Sequence, residues 1–274
     1  MIRYSESRYI SNCSILKKYT EHKYKLVTCK SSIKVSGYEE DKNILYECKI
    51  KSRNVNNEKL SNNIIRARSK ILEYALCNDF EFFVTLTLDA KKIERNNIDD
   101  YIKKLSQYIR DLRKHTGQEI EYLLIPEKHS DGESWHMHGL VKGLNDIRKF
   151  DVSENIPVRM KDKILRYREE GLDLYEWPGY AKRFGFCCIE PVRDKVAVSR
   201  YITKYISKNI DNDMGITEKN KKKYYCSRGL KTAKIIKKGV IPTQDIVYDF
   251  ENEYCKIKWL NAEQAKEIEK LFYS

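Results

Sequence analysis

Apolar positions along the chain switch between a helical and a strand period, and each switch marks an element. From Ser61 to Leu76, residues Ile64, Ile65, Ile71, Leu72, Ala75 and Leu76 recur at helical spacing with Arg66, Arg68 and Lys70 between them, which predicts a basic amphipathic helix. The next stretch, Glu81-Phe-Phe-Val-Thr-Leu-Thr-Leu88, is dense in β-branched and aromatic residues and reads as a buried central strand. Ile98, Ile102, Leu105, Ile109 and Leu112 then form an apolar stripe stopped by Gly117. Glu121 to Pro126 and Trp135 to Val141 are two more strands, and the turn material Ser130-Asp-Gly-Glu133 between them predicts a hairpin. Phe184 to Ile189 supplies another strand, ended by Pro191, and Asp194 can cap a helix running through Lys208.

The resulting order, β-α-β-β, an insertion, then β-α, predicts an α+β fold with an antiparallel sheet and helices packed on one face. Residues 1–58 form an extension with β-prone patches at Tyr24 to Thr28 and Ile44 to Cys48, and a loop near Asn54 to Asn57. Residues 59–212 form the main domain, with an insertion at 144–183 that carries a short charged helix near Met160 to Glu170 and a Trp177-Pro-Gly179 corner. Residues 213–274 comprise a basic segment and a closing helix marked by Ala262, Ala265, Ile268 and Leu271.

Charge changes the picture. Lys and Arg number 53 against 40 Asp and Glu, a net charge of +13, which supports a polyanionic partner such as nucleic acid without establishing it. No apolar run approaches the roughly 20 residues that span a bilayer, and the amino terminus lacks a signal-peptide core, so the chain reads as cytoplasmic with no membrane role. The eight cysteines form no Cys-x-x-Cys pair and read as reduced thiols. A Gly-x-x-x-x-Gly-Lys-Ser/Thr phosphate loop is absent, so any unwinding of a duplex falls to a partner.

Two constellations carry chemistry. His136 and His138 stand two apart on a strand, so their imidazoles project from the same face while Met137 points into the opposite layer. Alone, such a pair is more often two ordinary strand histidines than a ligand pair. Glu127, on the other arm of the hairpin, could reach the same ion, with Glu121, Glu133 and His129 as competing third ligands. Two imidazoles and a carboxylate suit Mn²⁺ and accept Mg²⁺, although Fe²⁺ or Zn²⁺ would also fit.

In Tyr201-Ile-Thr-Lys204-Tyr205-Ile-Ser-Lys208 the two phenols and two lysines share one helical stripe, and Ile202, Ile206 and Ile210 form a different stripe for the core. Two core tyrosines would be the bland reading. Burying Lys204 and Lys208 beside them would be costly, so the stripe reads as a functional face, with either tyrosine a candidate nucleophile and the lysines as supporting charge. Downstream, Lys219 to Arg228 mixes cations with aromatics: Lys221, Lys222, Lys223, Tyr225 and Arg228 could pair with phosphates and stack on unpaired bases.

At these residues the chain resembles the HUH endonuclease superfamily, in particular its two-tyrosine rolling-circle replication initiators. Phe83 to Leu88 is similar to that family's first motif strand, His136-Met-His138 to its metal motif, and Tyr201 to Lys208 to its catalytic helix. The tyrosines follow the histidines, the order of initiators and related transposases rather than of conjugative relaxases.

The resemblance covers about residues 80–210. It implies a sheet of about five strands with the histidines on a middle strand. It also implies a metal-dependent enzyme that nicks single-stranded DNA or an origin hairpin by tyrosine attack, leaves a 5′-phosphotyrosine and a free 3′-hydroxyl, and rejoins the strand. The setting implied is a phage or plasmid in a bacterial host that supplies helicase and polymerase. A two-tyrosine transposase shares this chemistry, and a non-cutting DNA-binding regulator on the same fold is the alternative from another class.

Overall fold

A computed structural model describes residues 8–10, 13–30, 33–35, 56–129, 131–153, 156–211, 222–242, 245–252 and 254–272. Strands β1 (Arg8–Ile10), β2 (Cys13–Thr20), β3 (Lys23–Cys29) and β4 (Ile33–Val35) come first. They are followed by α1 (Asn56–Cys77), β5 (Phe82–Thr87), α2 (Ile98–Thr116), β6 (Glu121–Lys128) and β7 (Trp135–Lys142). The expected insertion contributes β8 (Arg148–Lys149), α3 (Val158–Glu169), β9 (Tyr175–Glu176) and α4 (Pro178–Arg183). The chain continues with β10 (Cys187–Pro191), α5 (Lys195–Asp211), β11 (Tyr225–Cys226), β12 (Lys234–Val240), β13 (Phe250–Glu251), β14 (Cys255–Leu260) and α6 (Ala262–Lys270). Among the described residues no helix is long and apolar enough to cross a membrane.

The chain divides into two compact units, residues 56–231 and residues 1–55 with 232–274. In the larger unit a seven-stranded sheet runs β11-β6-β7-β5-β10-β9-β8, and every pairing is antiparallel. It is wider than the expected five because β8, β9 and β11 are two-residue strands, too short to leave an alternation pattern in the sequence. The predicted hairpin is present, with Glu127 opposite His136 and Ile125 opposite His138. Strand β7 lies between β6 and β5.

Helices cover both faces of this sheet rather than the expected one. Val84, Leu86, Met137 and Leu124 pack with Tyr101, Leu105 and Ile109 of α2 and Tyr180 of α4. The alternate positions Phe83, Leu123, Ile125 and Leu140 pack with Ile64 and Ile71 of α1 and Ile202 of α5. Strict alternation along each strand serves two cores, which is why these strands are nearly continuous in apolar residues. The ends of the helices follow their sequence signals. Asn97 caps α2, Gly117 adopts a left-handed φ of 70° at its C-terminus, and the Asp194 carboxylate accepts from the backbone N–H groups of Val196 and Ala197 at the start of α5.

In the smaller unit the two terminal segments, read separately in the sequence, share one five-stranded sheet in the order β12-β2-β3-β14-β13. Leu16, Leu26 and Leu260 from its strands bury against Ala265 and Ile268 of α6. Helix α6 opens with a reciprocal Asn261–Gln264 capping box. The pairing of β2 with β12 joins residues more than two hundred positions apart, a contact no local pattern announces. Strands β1 and β4 pair separately. The strand expected at Ile44 to Cys48 lies outside the described residues.

Gly139, the residue after His138 on β7, permits a close approach by β6. A β-carbon there would stand 2.6 Å from the Leu123 carbonyl oxygen and 2.4 Å from Leu124 Cδ2. Gly139→Ala should therefore destabilise the protein by about 1–3 kcal/mol, the usual cost of overpacking. Differential scanning calorimetry would register this as a melting point lowered by several degrees; an unchanged melting point would contradict the close packing of β6 on β7.

Candidate metal centre and tyrosine helix

Antiparallel register builds the site. Residues directly opposite one another share a face, so Glu127, His136 and Thr87 form one row across β6, β7 and β5. Ile125, His138 and Thr85 form the next. One oxygen of Glu127, Oε2, lies 2.9 Å from His136 Nε2 and 2.8 Å from His138 Nε2, and the two Nε2 atoms are 3.2 Å apart. These three residues form a group that could hold a metal ion. Donor atoms on adjacent corners of an octahedron with bonds of about 2.1 Å stand about 3 Å apart. The group therefore matches an ion of that geometry in both spacing and donor chemistry, and a divalent metal fits it.

Second-layer contacts orient the rings. His138 Nδ1 lies 3.3 Å from Thr85 Oγ1, leaving Nε2 to face Glu127, the arrangement that fixes the tautomer of a ligating histidine. Phe83 stacks on His138 with centroids 6.0 Å apart. Read from the sequence, Thr85 and Phe83 are only strand residues. The signal that could have found them is the alternation within β5, which puts Phe83, Thr85 and Thr87 on the histidine face and places polar hydroxyls in an otherwise apolar strand.

The competing ligands fall away from the group. Glu121 pairs with Lys142 at 3.9 Å near the other end of the hairpin. Glu133 is exposed in the turn, and the His129 ring stands against His136 at 5.4 Å without joining the three converging atoms.

Helix α5 lies on the same face, held by the fully buried Ile202. Tyr201 is 46% exposed and meets Phe83 edge to face at 5.4 Å, so one aromatic ring separates its phenol from His138. Lys204 is exposed, as the separation of a polar from an apolar stripe requires. The side chains of Tyr205 and Lys208, and Lys221 altogether, lie outside the described residues.

The downstream cations are placed differently from Tyr201. Lys222 is exposed, its ammonium 5.9 Å from the Tyr225 ring. Tyr225 is opposite Leu124 and packs with the α2 core. Its ring thus projects from the sheet face opposite the histidines, where with Lys222 and Lys223 it lines a cavity of about 470 Å³. Arg228 is exposed beyond β11. These residues share no surface with the metal group.

Burial raises the Glu127 carboxyl, but hydrogen bonds from His136 and His138 together with their charge outweigh it and bring it down to about 2. A carboxyl lowered by folding stabilises the native state above its ordinary range, and that contribution is lost as the pH falls through the folded value. In EDTA, the melting-temperature gap between the wild type and Glu127→Gln should close between the ordinary carboxylate range and about pH 2; a constant gap across that window would show that the imidazoles do not stabilise the carboxylate.

No curated protein and no solved structure matches the chain. Residues 81–210, which run from β5 almost to the end of α5 and include the metal group and Tyr201, match the model of a family described as replication-associated protein, of the ORF2 and gene II protein type, and this similarity supports a role in DNA replication for that segment.

Proposed function

We propose that the protein initiates rolling-circle replication by cutting one DNA strand through a tyrosine and later rejoining it. The observation that carries this reading is the convergence of Glu127, His136 and His138 beside the exposed Tyr201, within the segment that matches a replication-associated family. Glu127, His136 and His138 would hold Mn²⁺ or Mg²⁺, whose chemistry when bound is to draw charge from the non-bridging oxygens of a phosphate.

The protein's own residues perform the transfer. A phenol ordinarily ionises near about pH 10, so it needs positive charge beside it to act as a nucleophile near neutrality. Lys204, one turn along α5, supplies such charge, and Lys208 continues the stripe. The Tyr201 oxygen attacks phosphorus, its proton passing to solvent. The bond from phosphorus to the 3′-oxygen breaks, and that oxygen leaves as a 3′-hydroxyl after taking up a proton. The ester to tyrosine conserves the energy of the broken phosphodiester, so a 3′-hydroxyl can reverse the step and seal the strand. Tyr205, four residues on, takes the same role in a second transfer. Lys221, Lys222, Lys223, Tyr225 and Arg228 are proposed to contact DNA beyond the cleavage centre, on the other side of the sheet. Host helicase and polymerase supply unwinding and synthesis.

End-labelled single-stranded DNA from the protein's own replicon, incubated with Mn²⁺, should yield a denaturant-resistant adduct that EDTA prevents. Tyr201→Phe and Tyr205→Phe together should abolish it, and loss in either single variant identifies the first nucleophile. Adduct persisting in the double variant would overturn the tyrosine chemistry. His136→Ala should lose nicking while retaining most DNA affinity, which rests on many phosphate contacts; parallel loss of both would sink the metal role. Mn²⁺ at about a hundred times its Kd should stabilise the wild type by about 2.7 kcal/mol in a thermal melt and leave His138→Ala unmoved.

A further inference from the structure

The segment between β7 and β10 builds a second feature on the face that carries the metal group. Cys188 is opposite Thr85, which is opposite His138, so all three project from one face. Cys188 packs with Ile164 and Tyr167 of α3 and with Phe150. Lys163 bonds Glu190 at 2.8 Å, and the Tyr167 hydroxyl donates to the same carboxylate. Helix α3 is therefore seated over β10, while α5 lies over β6 and β7.

The metal row extends toward α3. Cys187 is opposite Leu86, and the Thr87 N–H donates to the Phe186 carbonyl at 2.8 Å, so Phe186 stands next to Thr87, the neighbour of His136. Two strand spacings put Phe186 about 10 Å from His136 on the same face. Phe186 is 41% exposed, an unusual position for so large an apolar ring, and Phe150 stacks on it at 5.9 Å. It closes one end of a cavity of about 690 Å³ whose other walls include Arg159, Asp162, Lys163 and Arg166 of α3. Arg159 and Arg166 are both exposed and have no acidic partner among the described residues.

We propose that this cavity is the track for single-stranded DNA leading to the metal group: Arg159 and Arg166 take backbone phosphates, and Phe186 stacks an unpaired base. Cations along one wall and an exposed aromatic ring at its end match the two requirements of single-strand binding, phosphate neutralisation and a stacking platform. Duplex DNA, with its bases stacked internally, offers nothing to Phe186. The proposal rests on reading the metal group as a strand-cleaving centre, since it assigns the approach to that centre.

The test is fluorescence anisotropy of a labelled mixed-sequence oligonucleotide, single-stranded or annealed to its complement, in EDTA across a salt series. Circular dichroism melts confirm that each variant is folded. Arg159→Ala with Arg166→Ala should weaken single-strand binding roughly tenfold and flatten the slope of log Kd against log salt by about 1.4, about 0.7 for each phosphate no longer neutralised. Phe186→Ala should weaken single-strand binding several-fold to tenfold, leave the salt slope unchanged and leave duplex binding unchanged. Phe186→Leu, which keeps an apolar side chain without an aromatic face, should bind like Phe186→Ala. Wild-type affinity and slope in the arginine variant, or equal losses on single strand and duplex for Phe186→Ala, would overturn the track. Because binding is read without metal, failure of the cleavage reading has a separate signature: no Mn²⁺-dependent adduct from the wild type while these losses persist.

Discussion

The register of β6, β7 and β5 is the constraint on which the site depends. A strand has a period of two, so a slip of one residue between β6 and β7 would move Glu127 off the histidine face and turn it toward the α2 core. The hairpin alone does not exclude such a slip. Two differently filled cores exclude it: Met137 and Leu124 belong beside α2, and Leu140 and Leu123 belong beside α1 and α5. Apolar packing on both faces thus holds three polar side chains at hydrogen-bonding distance, and the energy that positions the metal group comes largely from residues that never touch it.

A carboxylate shared by two imidazoles on a partly buried surface is costly to assemble unless each group finds a partner. Here each does. Glu127 bonds both rings, Thr85 meets the far nitrogen of His138, and Phe83 stacks on that ring and carries contact on to Tyr201. The two chemical elements of the site, one on a strand and one on a helix, are linked through a single phenylalanine.

Local chemistry was legible in the sequence and long-range pairing was not. The histidine pair, Glu127 and the exposed stripe of Tyr201 and Lys204 could be read because strand and helix periods determine which side chains share a face. The hairpin could be read from its turn residues. The second helical cover of the sheet was missed because near-continuous apolar strands look alike whether one or two cores flank them. Phe186 was taken as part of a strand beginning at Phe184, but Gly185 has a φ of 145°, and regular pairing starts at Cys187. The partnership of β2 with β12 and of β3 with β14 spans most of the chain, beyond the reach of any window of neighbouring residues.

That partnership bears on how the molecule is made. Strands β2 and β3 leave the ribosome early, yet the strands that flank them, β12 and β14, are synthesised after the whole of residues 56–231. The hairpin must wait with both edges unpaired while the larger unit, whose contacts are closer in sequence, has the means to fold. Its strands carry Lys17, Lys18, Lys23 and Lys25, and charge of this kind discourages two nascent chains from pairing edge to edge during the delay. Closing the smaller sheet is then the last event in the chain's assembly, and its slowness is set by a loop the length of a domain.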